Sequence, residues 1–371
     1  MPPPALPAPI VAVNASASAS HVIHRIRLTR RSWHTSASPS DHPVDNFPRS
    51  ADTPFAQFAV RAGRRPTLRS DLVTSVTVRV PAKVNLQLAV GPIRDDGYHD
   101  LVNVFHAVSI FDEIVASEGT ALTVRVEGHG ADQVPDGGDN LAVRAAHALA
   151  THAGRPYGAS LLIRKNIPVA GGMAGGSADA AAALVACNEL WGLGLSRDDL
   201  MEIAADLGSD VPFALLGGTA VGTGRGEKLT PLEVGGVFHW VFALADGGLS
   251  TPKVYRECDR MREATGMRVG WPEPSEDLLA ALRDGDSVRL GKAISNDLQP
   301  AAIMLRRSLA RTLEAGHEAL GGIVSGSGPT CAFLARSPEH AAELAVSLTA
   351  AGVCRAAVIG DGPVPGATVG S

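Results

Sequence analysis

Pro168-Val169-Ala170-Gly171-Gly172-Met173-Ala174-Gly175-Gly176-Ser177-Ala178-Asp179-Ala180-Ala181-Ala182 puts four glycines within six residues ahead of an alanine run. After Ser177 the pattern predicts a helix of about four turns, with Leu184, Cys187, Asn188 and Trp191 at i, i+3, i+4 and i+7. Gly192 and Gly194 end it, and Ser177 stands at the N-cap. Glycine ahead of a helix N-terminus lets bare N–H groups approach an anion with no Cβ in the way. The stretch therefore reads either as a phosphate loop or as a tight strand-to-helix connection. It is not a Walker A loop, because no lysine follows the last glycine. A dinucleotide fingerprint also fails, since no acidic residue ends a second strand about 20 residues on.

Working outward, the 371 residues are 45% hydrophobic and 19% charged, enough to bury two ordinary cores. A net charge of -5 argues against nucleic acid as the main partner. No apolar run reaches the roughly 18 residues needed to cross a bilayer, so no membrane partner is expected. Cys187, Cys258, Cys331 and Cys354 have neither zinc-ligand nor C-x-x-C spacing and read as small core residues in a reducing compartment.

Residues 1–72 differ in kind. They hold nine Arg, four Asp and no Lys, which leaves -10 for the remainder. They show no sustained period of 2 or 3.6 and read as disordered. The Arg- and Ser-rich composition fits an organelle transit peptide, which would place the protein in a plastid. The bias of the whole chain, 28 Arg to five Lys, instead favours a bacterial, cytoplasmic protein whose start lies near Val73.

From Val73 the texture changes: Val76, Val78 and Val80 alternate with other residues as in a half-buried strand. Mixed helical and strand patterns then run to Gly362, which indicates α+β or α/β organisation. "GGVFHWVFAL" (235–244) begins a second domain, giving 73–234 and 235–362, with 363–371 as a frayed tail.

Three further stretches carry chemistry-bearing residues. "VPAKVNLQL" sets Lys83 and Asn85 on one face of an apolar strand. "LGSDVPFALLGG" puts Asp210 at the head of a helix, and "VSGSGPTCAF" (324–333) is a second glycine loop. Each has a structural reading as well: an interfacial lysine, a capping aspartate, a hairpin turn.

Together "PAKVN" (81–85), "PVAGGMAGGSA" (168–178) and "GSGPTC" (326–331) resemble the GHMP kinase superfamily. "DGYHDLVNVF" (96–105), "LGSDVPF" (207–213) and "SNDLQPA" (295–301) are similar to one branch of it, over residues 74 to 362. The resemblance implies a two-domain α+β fold, ribosomal protein S5 domain 2-like then ferredoxin-like. It implies transfer of the ATP γ-phosphoryl group, with Mg²⁺, to the 2-hydroxyl of a cytidine diphosphate-linked methylerythritol. Homoserine or mevalonate kinases and an inactive family member are the alternatives, and the oligomer is expected to be a monomer or homodimer.

The same resemblance makes Lys83 and Asp210 catalytic and assigns Pro168 through Ala178, with Lys165 and Asn140, to ATP. Ser177 becomes the nearest protein contact for Mg²⁺. Asn85 lies on the substrate side, Tyr98 and His99 hold the cytosine, and Tyr255 covers the ring's other face. Phosphoryl transfer is mostly positioning and charge neutralisation, so a modest base suffices. The loop departs from the family at Ala170, Met173, Ala174 and Ala178, where Gly, Leu, Gly and Ser are usual. Alanine there restricts the backbone but removes no N–H.

Deleting residues 1–72 is expected to leave kinase activity and thermal midpoint nearly unchanged, because the segment has no core of its own. A large loss of either would show that it docks.

Overall fold

The computed structural model describes residues 74–370; the expectations for residues 1–72 lie outside the described residues. The first sheet is built on β1 (Ser75–Ile93), which pairs antiparallel with β2 (His99–Glu118) along nearly its whole length. Val76, Val78 and Val80 are buried as their alternation requires. The register slips at Pro81/Ala82 and again at Asn85/Gln87. Bulges re-aim side chains, and these two bracket Lys83 and Asn85.

β3 (Leu122–Gly128) and β4 (Ala159–Lys165) run parallel and are joined through α1 (Leu141–His152), the helical crossover such a pair needs. The glycine stretch follows β4 and leads into α2 (Gly175–Leu190). The helix begins at Gly175 with Ala174 at its cap, so Ser177 lies inside the first turn rather than at the N-cap. Every residue from Ala178 to Asn188 is buried, not just the stripe through Leu184 and Cys187. Small alanines let α1, β1 and β2 all approach this helix closely. α3 (Arg197–Leu207) and α4 (Val211–Leu216) complete the helical layer. β5 (Thr219–Thr223) and β6 (Lys228–Pro231) extend the sheet from the His99 end of β2.

β7 (Phe238–Leu244) opens a four-stranded antiparallel sheet. Then come α5 (Thr251–Thr265), α6 (Glu276–Asp284) and α7 (Ser287–Ala293). β8 (Ser295–Asn296) returns to pair with β1 at Gln87 and Leu88. α8 (Gln299–Leu305), α9 (Ser308–Ala315), β9 (Gly321–Val324), β10 (Cys331–Ala335), α10 (Pro338–Ala350) and β11 (Ala356–Gly362) follow. The order β11-β7-β10-β9 is the ferredoxin-like arrangement, and the fold is α+β. Strand β7 is buried on both faces: Phe238, Trp240 and Phe242 join the core of the first sheet, Val241 and Ala243 the second. His106, wedged beside Phe238 and Trp240, is pushed down to about 3 by burial and stays neutral. Cys187, Cys258 and Cys331 are buried and all four thiols are free. No helix of the described residues is long and apolar enough to cross a membrane.

The end of the chain corrects the sequence reading. Of the tail 363–371, expected to fray, residues 364–370 are docked: β12 (Thr368–Val369) pairs with β1 at Val78 and Arg79. Ala367 is buried and its N–H donates to Ala214 O, while Gly218 N–H donates to Val364 O. The Arg197 guanidinium donates to both Leu215 O and Ala367 O. Proline, glycine and small residues hid this, because the attachment runs through backbone groups. Removing residues 364–371 should lower the thermal midpoint by roughly 10 °C, at about 1 kcal/mol per lost bond and 2–4 °C per kcal/mol. An unchanged midpoint would show that the strap contributes nothing.

Candidate active site

One cavity of about 870 Å³ gathers all three motifs. Lys83, carried by β1, is buried there, and its ammonium donates to Asn85 Oδ1 at 2.6 Å and to Gly172 O at 3.0 Å. Asp210 Oδ2 lies 3.8 Å away. Burial pushes the Lys83 ammonium down, and Asp210 opposes this. Asp210 occupies the N-cap position of α4 but spends no side-chain bond on capping. Its carboxylate is left to the cavity. Asn85 in turn donates to Asn103 Oδ1 at 2.7 Å.

The glycine stretch forms the wall opposite. Gly175, Gly176 and Ser177 line the cavity, and as the first residues of α2 their N–H groups have no intrahelical partner. Ala170 and Ala174 both sit at positive φ, 54° and 59°, where the family usually has glycine. The restriction foreseen for alanine is therefore a strain of about 1–2 kcal/mol at each position. Gly172 cannot be replaced in the same way: a Cβ there would lie 2.2 Å from Ser325 O. At this contact the two glycine loops meet, and Gly172 O also accepts from Ser325 Oγ at 3.1 Å. The second loop is a hairpin turn between β9 and β10, and it also lies against the site, with Gly326 packed on Asn85 and Lys83. Asn296 holds it by donating to Val324 O and Gly326 O.

Four residues expected at ATP have their side chains placed otherwise. Met173 and Ala178 are buried in the core and face away from the cavity. Asn140 caps α1, accepting from Ala142 N–H and donating to Pro135 O, and does not line the cavity. Lys165 borders the cavity, but its ammonium is held beneath the loop by Asp112 and by Asp179 at 2.7 Å. Burial pulls the Lys165 ammonium down, and the two carboxylates outweigh it and raise it. One cation faces two buried acids. Asp112 also accepts the N–H groups of Asn166 and Ile167 and so has donors to spare. Asp179 has an unpartnered Oδ1, and burial, with Asp112 beside it, pushes its carboxyl up to about 7.

At the other end stand Tyr98, His99 and Tyr255, with the rings of His99 and Tyr255 5.4 Å apart. Tyr98 is exposed and Arg225 lies over its ring at 5.8 Å. The cavity's cations are Lys83, Lys165, Arg225 and Arg256, and the two arginines have no carboxylate partner among the described residues. Sequence reasoning missed both arginines, for which no pattern speaks. Asn103 and Asp259 had a signal: Asn103 shares the β2 face with His99, and Asp259 follows Tyr255 by four residues on α5. So did Asp179, a charge inside an alanine run.

Two family models match: GHMP kinases N terminal domain over residues 140–218 and GHMP kinases C terminal over residues 278–354. The chain is 60% identical over 308 residues to a 4-diphosphocytidyl-2-C-methyl-D-erythritol kinase of Thermobifida fusca, covering 80% of this chain and 98% of that one. It is similar to a crystal structure of 4-(cytidine 5'-diphospho)-2C-methyl-D-erythritol kinase, with a TM-score of 0.63 and 34% identity over 77% of this chain and 99% of that one. A homoserine kinase from Cytophaga hutchinsonii has a TM-score of 0.62 at 18% identity, over 82% and 99%, and shares the fold.

The folded-state value of Asp179 lies above that of the unfolded chain. Its proton therefore favours the fold at low pH, and the contribution fades as pH rises through about 7. The urea midpoint should fall from pH 5 to pH 8 more steeply in the native chain than in Asp179→Asn. Equal slopes would mean that Asp179 does not hold this proton.

Proposed function

Because the chain belongs to the GHMP kinases, and within them to the 4-diphosphocytidyl-2-C-methyl-D-erythritol kinases, we propose that it transfers the ATP γ-phosphoryl group to the 2-hydroxyl of 4-diphosphocytidyl-2-C-methyl-D-erythritol in non-mevalonate isoprenoid precursor synthesis. The observation that carries the reading is the Lys83–Asp210 pair inside a cavity that has a glycine-loop wall and an aromatic end.

The loop N–H groups and the α2 dipole hold the ATP phosphates, with Gln133, Val134 and Pro135 lining the same cavity for the rest of the nucleotide. Tyr98, His99 and Tyr255 take the cytosine, and Arg225 and Arg256 supply charge for the substrate's diphosphate. As the new O–P bond forms and the γ-phosphorus leaves the oxygen it shared with the β-phosphorus, the hydroxyl proton passes to Asp210 and ADP departs. Lys83 fixes the Asp210 carboxylate and neutralises charge on the transferring group. Asn85, anchored by Asn103, holds Lys83 from the other side.

The donor set suits a Mg²⁺ ion carried in with ATP. Among the described residues no three His, Cys, Asp or Glu side chains form a metal cage, while Ser177 and Asp210 offer oxygens to the cavity. Bound there, the ion would spread the phosphate charge, its remaining ligands being phosphate and water.

An ADP-release assay with the cytidyl-methylerythritol substrate, homoserine and mevalonate side by side tests the reading. Turnover only of homoserine or mevalonate would overturn it. Asp210→Asn should lower kcat by about 10²-fold or more with little change in KM for either substrate, as for a lost positioned base.

A further inference from the structure

The aromatic end of the cavity contains a side-chain hydrogen bond that the phosphoryl transfer does not use. His99 Nε2 lies 2.9 Å from Asp259 Oδ1. His99 is buried at the start of β2, and Asp259 sits on α5 one turn after Tyr255. One face of a single helix thus supplies both the ring that packs on His99 and the carboxylate that meets its edge. All three residues line the cavity.

An ionised carboxylate only accepts hydrogen bonds, so the hydrogen in this contact belongs to Nε2. In a neutral imidazole the other nitrogen is then a bare acceptor. Nδ1 of His99 has no hydrogen bond to any described residue. Cytosine and uracil share ring shape and stacking area; at position 4 cytosine carries an amino donor and uracil a carbonyl acceptor. An acceptor fixed on the protein distinguishes them, and a ring free to exchange tautomers does not.

We propose that Asp259 is a specificity-determining positioning residue: by locking the Nε2–H tautomer of His99 it keeps Nδ1 an acceptor, which pairs with the 4-amino group of cytosine and rejects uracil. The proposal rests on the reading that the aromatic end takes the pyrimidine. Asp259 acts through His99 and touches no reacting atom. Its effect belongs to nucleotide choice, separate from the Lys83–Asp210 chemistry.

The test compares kcat/KM for the cytidine diphosphate-linked methylerythritol and its uridine counterpart. In Asp259→Asn an amide that can turn either its NH2 or its carbonyl oxygen to Nε2 replaces a group that only accepts, so the ring hydrogen is no longer fixed on Nε2. The cytidine preference should then shrink by roughly 10–100-fold, the scale set by an unpaired buried polar group, with KM for ATP unchanged. Asp259→Glu, which can still accept, should keep most of the preference. Nitrogen-15 NMR of histidine-labelled enzyme without substrate, with His99 assigned from the His99→Gln spectrum, should show Nδ1 as the unprotonated nitrogen. A protonated Nδ1 in neutral His99, or an Asp259→Asn variant that loses both activities equally, would overturn the proposal. If the wild type turned over neither nucleotide, the proposed function would fail, and the ring-nitrogen spectrum would still decide the tautomer.

Discussion

A buried ammonium has to be satisfied, and the way Lys83 is satisfied organises the site. Its charge is out of water, where an unpaired cation is very costly. The carbonyl of Gly172, the side-chain oxygen of Asn85 and the carboxylate of Asp210 supply the compensation. These partners come from the glycine stretch, β1 and the head of α4, three segments far apart in the chain. Gly172 then carries the constraint onward to Ser325, so the second half of the chain is bound to the same point. Meeting the needs of one nitrogen brings the glycine-loop wall, Asp210 and Asn85 together.

Beneath this centre lies α2, whose alanines bring sheet and helices close enough to fix where its N-terminus points. The Lys165 cluster performs the same service one layer down. Its ammonium joins β2, through Asp112, to α2, through Asp179, under the loop it supports. The strain at Ala170 and Ala174 persists because contacts on both sides of the loop leave the backbone no other course. Charge is thus used twice, once at the cavity wall and once sealed below it.

Much of this was legible in the sequence. Period 2 placed Lys83 and Asn85 on one face, and the glycines ahead of an apolar helix marked an anion wall. The glycine positions could be read, but not the direction of each residue around them: Met173 lies in the core between the positive-φ residues Ala170 and Ala174, and Ala178 lies in the buried run of α2. Lys165 and Asn140 were assigned by position in a motif, and their partners Asp112, Asp179 and Pro135 were invisible without tertiary contacts. His99 and Asp259 are 160 residues apart, so helical spacing could suggest that Asp259 shares a face with Tyr255 and nothing about what it meets. The docked terminal segment was hidden for a different reason, since backbone pairing leaves little trace in residue type.

That terminal segment joins two elements that otherwise have few direct ties. Its β12 pairs with β1, which bears Lys83, and Ala367 bonds to α4, whose first residue follows Asp210. Thr368 and Val369 are exposed and the pairing is only two residues long, so β12 is the part of the strap that opens at least cost, while Ala367 stays buried against the first core. If the whole strap let go, Asp210 and Lys83 would lose a shared clamp and the first core would lose the buried Ala367. The placing of Asp210 against Lys83 therefore draws on the far end of the chain, through bonds that neither residue makes itself.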